Sequence, residues 1–183
     1  MGKLIRRNFY NRNTVQVARE VLGKILCRRM NNGKVIKSII VEAEAYTQDE
    51  ESCHAYKGIT KRNAAMFKKP GIAYVYFTYG MYHCLNIITE KEGYGAGVLI
   101  RAVEPLNCEL TNTNGPGKLC RTLEITRELN ETDVCTRKSP MWLEYGEDIG
   151  NENIIQTKRI GISLAKDFPW RFYIKNNKFV SKP

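Results

Sequence analysis

Histidine is scarce in this chain: among 183 residues only His54 and His83 occur. The six cysteines (Cys27, Cys53, Cys84, Cys108, Cys120, Cys135) are widely spaced, with no CxxC and no Cys–His pairing at zinc spacing. Those gaps argue against a structural zinc site, and the adjacent Cys53 and His54 would compete for geometry around one ion. Several cysteines fall in apolar or strand-like segments, where a free thiol packs as a small hydrophobe. All six are expected to be reduced thiols in a cytoplasmic protein, nucleoid-associated if bacterial. No apolar run reaches membrane-spanning length. The opening MGKLIRRNFYNRN is charged and lacks the apolar stretch of a signal peptide, and Arg6 stands where a myristoylation motif needs Ser or Thr. No repeat, low-complexity tract or linker divides the chain, so one domain over residues 1–183 is expected, with an adequate core. Acidic residues are also in deficit: 29 Lys and Arg against 19 Asp and Glu leave a net charge of +10. Such an excess suggests a polyanionic partner, nucleic acid first and an anionic membrane surface second. Basic enzymes with small-molecule substrates also exist.

Hydrophobic periodicity sketches the architecture. Thr14–Leu22 reads as a short helix: Asn13 or Thr14 caps it, Val17, Ala18, Val21 and Leu22 form one apolar stripe, and Gly23 ends it. Ile25–Met30 and Val35–Tyr46 read as strands joined by the turn Asn31-Asn32-Gly33-Lys34. Thr47–Pro70 is a long polar connection with room for a helical turn; loops of that length are usually functional or disordered. Ile72–Thr78 and Tyr82–Thr89 form a second hairpin, and Tyr79-Gly80-Met81-Tyr82 fits a two-residue turn with Gly at its first central place. Val98–Val103 is an apolar strand interrupted by Arg101, which is then either an edge residue or the partner of a buried carboxylate. Asn114–Lys118 opens a helix running to about Ile125, with N–H groups that could hold a phosphate. Ile160–Ile162 and Phe168–Ile174 read as closing strands. The sum is an α+β protein, a single mixed domain with a curved, mostly antiparallel sheet and flanking helices.

Chemistry concentrates between Val41 and Asn86. Glu42, Glu44 and Tyr46 recur at period two, so a strand places them on one face. Burying an ionised Glu costs several kcal/mol unless it is paired. His54 follows, then Lys57, Lys61, Arg62, Lys68 and Lys69 without an intervening acid, then Tyr74, Tyr76, Tyr79 and Tyr82. Taken alone, a strand Glu is more often a structural ion-pair partner, a loop His a surface hydrogen-bonder, and a tyrosine ladder sheet packing. Together on a basic chain they match four requirements of base excision: cations for phosphate, rings for an extruded base, a carboxylate to activate water, and a wedge at a hairpin tip. The same residues leave a metal-dependent nuclease open, with Glu42, Glu44, Asp49 and His54 around a divalent ion. A non-enzymatic nucleic-acid-binding module is also open.

The motifs VEAEAY (41–46), His54, KRNAAMFKKPG (61–71), YVYFTYGMYHCLN (74–86), VLIRAVEP (98–105), NGPGKLC (114–120), RIGI (159–162) and PWRFY (169–173) occur in one order over nearly the whole chain. In them the chain closely resembles the alkyladenine (3-methyladenine) DNA glycosylases of the methylpurine type. The resemblance implies a mixed fold without a helix-hairpin-helix, and monofunctional excision of 3-methyladenine, 7-methylguanine, hypoxanthine and ethenoadenine from double-stranded DNA. It implies a monomer with no metal or cofactor. By matched position, Glu44 is the general base, Arg101 holds Glu44 and its water, and Ile160 touches that water through its backbone carbonyl. Glu42 is not the catalyst. Tyr46 covers one face of the flipped purine, with His54 and Tyr76 on the other, and Asn86 obstructs the exocyclic amine of normal guanine. Tyr79 is the intercalating wedge, Met81 lies beside it in the minor groove, and Lys118 contacts DNA.

Overall fold

A computed structural model of the chain describes residues 2–78 and 80–183. In chain order the elements are helices α1 (Arg7–Tyr10) and α2 (Thr14–Glu20), strands β1 (Ile25–Arg29) and β2 (Val35–Thr47), a 3-10 helix at Ala64–Phe67, and strands β3 (Ala73–Thr78), β4 (Tyr82–Ile88) and β5 (Ala96–Pro105). Helix α3 (Pro116–Thr122) and strands β6 (Met141–Glu144), β7 (Ile154–Thr157) and β8 (Arg171–Ile174) follow. The strands form one curved antiparallel sheet in the order β3-β4-β5-β2-β1-β6, with β8 pairing β2 and β7. The α+β reading holds.

The central strand is β2. Its first half pairs β1, its second half pairs β8, and β5 runs along its other edge. The β2–β5 register slips at two places: Ile40 faces Val103, Glu42 faces Ala102, and Ala43 faces Ile100. Val41 is thus the extra residue on β2 and Arg101 the compensating extra residue on β5. A bulge re-aims the side chains after it. Ile36 and Ile40 point into the main core before the bulge, and Ala43 and Ala45 do so after it, while Val41 packs in a separate cluster with Ala102 and Val180. The change of parity turns Glu42, Glu44 and Tyr46 away from the main core. A strict period of two through the whole strand cannot produce that arrangement.

Asn13 caps α2, its side chain accepting from the N–H groups of Val15 (3.1 Å) and Gln16 (3.2 Å). Val17, Ala18 and Val21 carry the stripe into the core. Gly23 follows at φ +80°, its N–H donating to Ile40; a Cβ there would lie 2.4 Å from the Glu147 carbonyl. Helix α3 packs Leu119 and Cys120 into the same core. The long connection is ordered around buried Asn63, whose amide donates to His54 (2.7 Å) and Gly58 (2.9 Å) and accepts from Thr60 (2.6 Å). Cys53, Ala55, Ala65, Met66, Ile72 and Tyr74 pack there as a second apolar cluster.

Two local expectations are corrected. Thr78 pairs with Tyr82 and Met81 N–H donates to Thr78, so three residues (79–81) join β3 to β4 and Gly80 (φ +68°) is the middle one. Ile160–Ile162 is not a strand: the segment is irregular, and its partly buried isoleucines face a cleft.

Candidate active site

Sheet register builds the site floor. Across the sheet, Tyr74 faces Asn86, Asn86 faces Leu99, Leu99 faces Glu44, and Glu44 faces Arg171. Residues paired this way share a face, so strands β3, β4, β5, β2 and β8 each contribute to one row. Above that row lies a cleft of about 510 Å³, walled by Tyr46, His54, Tyr76 and Asn86 and closed on one side by residues 160–164. That volume suits a small organic ligand.

Glu44 is fully buried. Its Oε2 accepts from the Tyr46 hydroxyl (2.8 Å) and Arg101 Nη1 (3.2 Å), and its Oε1 accepts from the Ile160 N–H (2.8 Å). Among the described residues Oε1 thus accepts one bond where Oε2 accepts two, and it is the less occupied oxygen. Tyr46, Arg101 and Ile160 also line the cleft, which opens beside this carboxylate. Burial first, and the Glu44 charge second, push the Tyr46 phenol far above its usual range, keeping it a donor.

Glu42, equally buried, has a different fate. Its Oε1 accepts from Arg101 Nε (2.9 Å), Arg171 Nε (2.7 Å) and Ser181 Oγ (2.9 Å), and its Oε2 from the Ser181 N–H (2.7 Å). Burial pushes its pKa up, but Arg101, the Ser181 N–H and Arg171 together outweigh that and hold it below the usual 4.5. Arg101 is therefore shared between both carboxylates, as the partner of a buried anion. Glu42, Glu44, Asp49 and His54 do not converge: Asp49 accepts from the Tyr94 hydroxyl, and among the described residues no group of three or more His, Cys, Asp or Glu is placed to hold a metal.

The aromatic wall is a linked set. His54 meets Tyr76 edge-on at 4.6 Å, Tyr76 lies 5.3 Å from Tyr74, and His54 Nδ1 sits 3.2 Å from the Tyr74 hydroxyl. Burial of part of the ring, then the nearby Arg62 cation, lower the His54 pKa from its usual value and favour the neutral imidazole. Burial raises Tyr74 to about 12. Asn86 is buried on the wall, and its Nδ2 has no hydrogen-bond partner among the described residues. An unsatisfied buried amide costs about 1–3 kcal/mol, which a ligand acceptor relieves.

The structure therefore gathers Glu44, Arg101, Ile160, Tyr46, His54, Tyr76 and Asn86 around one cleft. Met81 is 60 % exposed at the β3–β4 tip, and exposed Lys118 lies two residues beyond Pro116 on the cleft wall, bonding Asn114 at 3.0 Å. Tyr79 lies outside the described residues. The contact seen for Ile160 is through its N–H to Glu44, whereas the expected contact is of its carbonyl with a water. Sequence reasoning did not find Tyr74 as the partner of His54, the Arg171–Ser181 clamp on Glu42, or the buried pair Glu50–Arg159. Arg171 and Arg159 both lie inside quoted motifs, which was the available signal.

Known proteins are similar to this chain over nearly its whole length. A protein of Methanocella arvoryzae is 46% identical over 193 residues, covering 96% of this chain and 94% of that protein. One of Carboxydothermus hydrogenoformans is 44% identical over 191 residues, covering 98% and 99%. One of Alkaliphilus oremlandii is 43% identical, covering 97% and 98%. All three are provisionally named 3-methyladenine DNA glycosylases. The class is thus that of DNA glycosylases, hydrolases of base-excision repair. The family model described as methylpurine-DNA glycosylase matches residues 8–178, and the chain belongs to that family.

Proposed function

We propose that this protein everts alkylated or deaminated purines (3-methyladenine, 7-methylguanine, hypoxanthine, ethenoadenine) from duplex DNA and hydrolyses their N-glycosidic bond. The observation that carries this reading is the Glu44 carboxylate, held by three donors beside an aromatic cleft, with Oε1 accepting from a single one of them. The purine stacks between Tyr46 and the His54–Tyr76 pair. A cationic lesion gains about 0.5–2 kcal/mol from those ring faces. Glu44 orients a water and takes its proton as the oxygen bonds to C1′. The C1′–N bond breaks through a transition state of oxocarbenium character, and its electron pair leaves with the base. A cationic lesion departs neutral; a neutral lesion needs a proton on the departing purine. Asn86 opposes the exocyclic amine of normal guanine, donor against donor. Tyr79 and Met81 fill the gap in the duplex, and Lys118 contacts phosphate. The reaction requires no metal and no lysine nucleophile, and the product is an abasic site in an uncut strand.

Chromatography of methylated DNA incubated with the protein in EDTA tests this. Free 3-methyladenine with alkali-labile, unnicked DNA is expected. Nicking that disappears in EDTA would point to the metal-dependent nuclease, and salt-dependent binding without released base to a binding module.

A further inference from the structure

The cleft wall formed by residues 160–164 belongs to the connection between β7 and β8. Residues 158–169 make no backbone–backbone hydrogen bond to the described residues outside that connection. Side chains and one backbone N–H fasten it. Lys158 pairs with Asp167 (2.7 Å), but both are exposed and the pair is screened by solvent. Gln156 Nε2 reaches the Pro169 carbonyl (2.9 Å), and the Ile160 N–H reaches Glu44 (2.8 Å). The buried fastening is Arg159. Its Nη1 donates to Ala45 O (2.9 Å) and Glu50 Oε1 (2.6 Å), and its Nη2 to Glu50 Oε2 (3.1 Å) and Ala165 O (3.1 Å). The guanidinium carbon lies 4.6 Å from the Tyr46 ring centroid and 5.3 Å from that of Trp170.

We propose that Arg159, oriented by Glu50, is a positioning residue for base excision, setting the Tyr46 ring and the Ile160 N–H against Glu44. It rests on the function proposed above and touches no reacting atom itself. Arg159 is the immediate neighbour of Ile160 in the chain, and its guanidinium lies against one face of Tyr46. Both residues donate directly to Glu44, so one side chain fixes two of the three donors to that carboxylate. A fork that grips a carboxylate and two carbonyls holds three segments at fixed angles, which neither a single ammonium nor an apolar side chain reproduces. Stability alone does not require it, because replacing a buried ion pair with neutral groups of similar volume is often neutral or stabilising.

The test uses the double variant Arg159→Met/Glu50→Gln, which removes both buried charges together. The introduced amide keeps an acceptor for Ser52, whose N–H (2.9 Å) and Oγ (2.6 Å) both donate to Glu50 in the native protein. Thermal midpoint, affinity for lesion-containing duplex and single-turnover excision are measured together. The expected result is a midpoint near wild type, affinity within about threefold, and excision slowed about 100-fold, the cost of an ångström-scale misplacement. Arg159→Lys keeps the charge without the fork and is expected to fold, bind normally and excise at least about tenfold more slowly. If the double variant does not fold, the lysine variant decides alone. Wild-type excision in a folded variant, or a rate loss matched by an equal loss of affinity, would overturn the inference. A wild-type protein that releases no base would overturn the function itself, and this inference with it.

Discussion

Glu42 and Glu44 lie two residues apart on one strand, both wholly buried, and their surroundings divide them. Glu42 is held by two arginines and by Ser181 near the C-terminus; Glu44 is held by Tyr46, Arg101 and Ile160, which themselves line the cleft. Glu42→Gln should therefore act on stability. It leaves Arg101 and Arg171 short of an anion, and chemical denaturation should show a loss of about 3–5 kcal/mol. Asn86→Ala should act on selection: removing the unpaired amide should raise release of normal guanine relative to 7-methylguanine, read by chromatography of both bases. Period two in the sequence is enough to show the shared face of the two glutamates. What separates them was not visible, because Ser181 and Arg171 are more than a hundred residues away along the chain. Glu50 and Arg159 are hidden for the same reason.

At the scale of elements, the strands nearest the chemistry were the most legible, since β1–β5 combine β-branched runs with clear turn residues. The paired slips at Val41 and Arg101 were not, because a bulge inverts parity without changing composition. Ile160 and Ile162 alternate like a strand, yet they serve as cleft wall instead of sheet. Four-residue β6 was too short to declare itself. The NGPGK segment illustrates a second ambiguity: its glycines resemble an anion cradle, but a Cβ on Gly117 would lie 2.9 Å from the Tyr82 ring. Close packing of α3 on β4 accounts for that glycine. Gly117→Ala should cost about 1–3 kcal/mol through overpacking, offset in part by helix propensity, and thermal unfolding measures it.

Over the whole molecule the net charge is +10, and Lys57, Lys61, Arg62, Lys68 and Lys69 are all exposed along one connection, Lys68 pairing with Glu131. Affinity for duplex should fall steeply with salt, with a log–log slope of about −0.9 per phosphate neutralised. Acid stability has a separate anchor in buried Glu144, which bonds Lys37 (2.8 Å), Trp142 Nε1 (3.1 Å) and Arg137 (3.0 Å). Burial alone would raise its pKa, but these donors lower it from 4.5 to about 2. A depressed carboxylate stabilises the fold above its unfolded pKa and loses that contribution as pH falls through the folded one. Unfolding free energy should thus drop between about pH 5 and 2, with on the order of 3 kcal/mol from this group, and Glu144→Gln should flatten that part of the curve. The central claim, that Glu44 activates the attacking water, is tested most directly by single-turnover base release from a lesion duplex in EDTA, wild type against Glu44→Gln at equal occupancy. The account predicts that the variant binds within a few-fold of wild type and releases base about 10²–10⁴ times more slowly. Release by Glu44→Gln at the wild-type rate would contradict it.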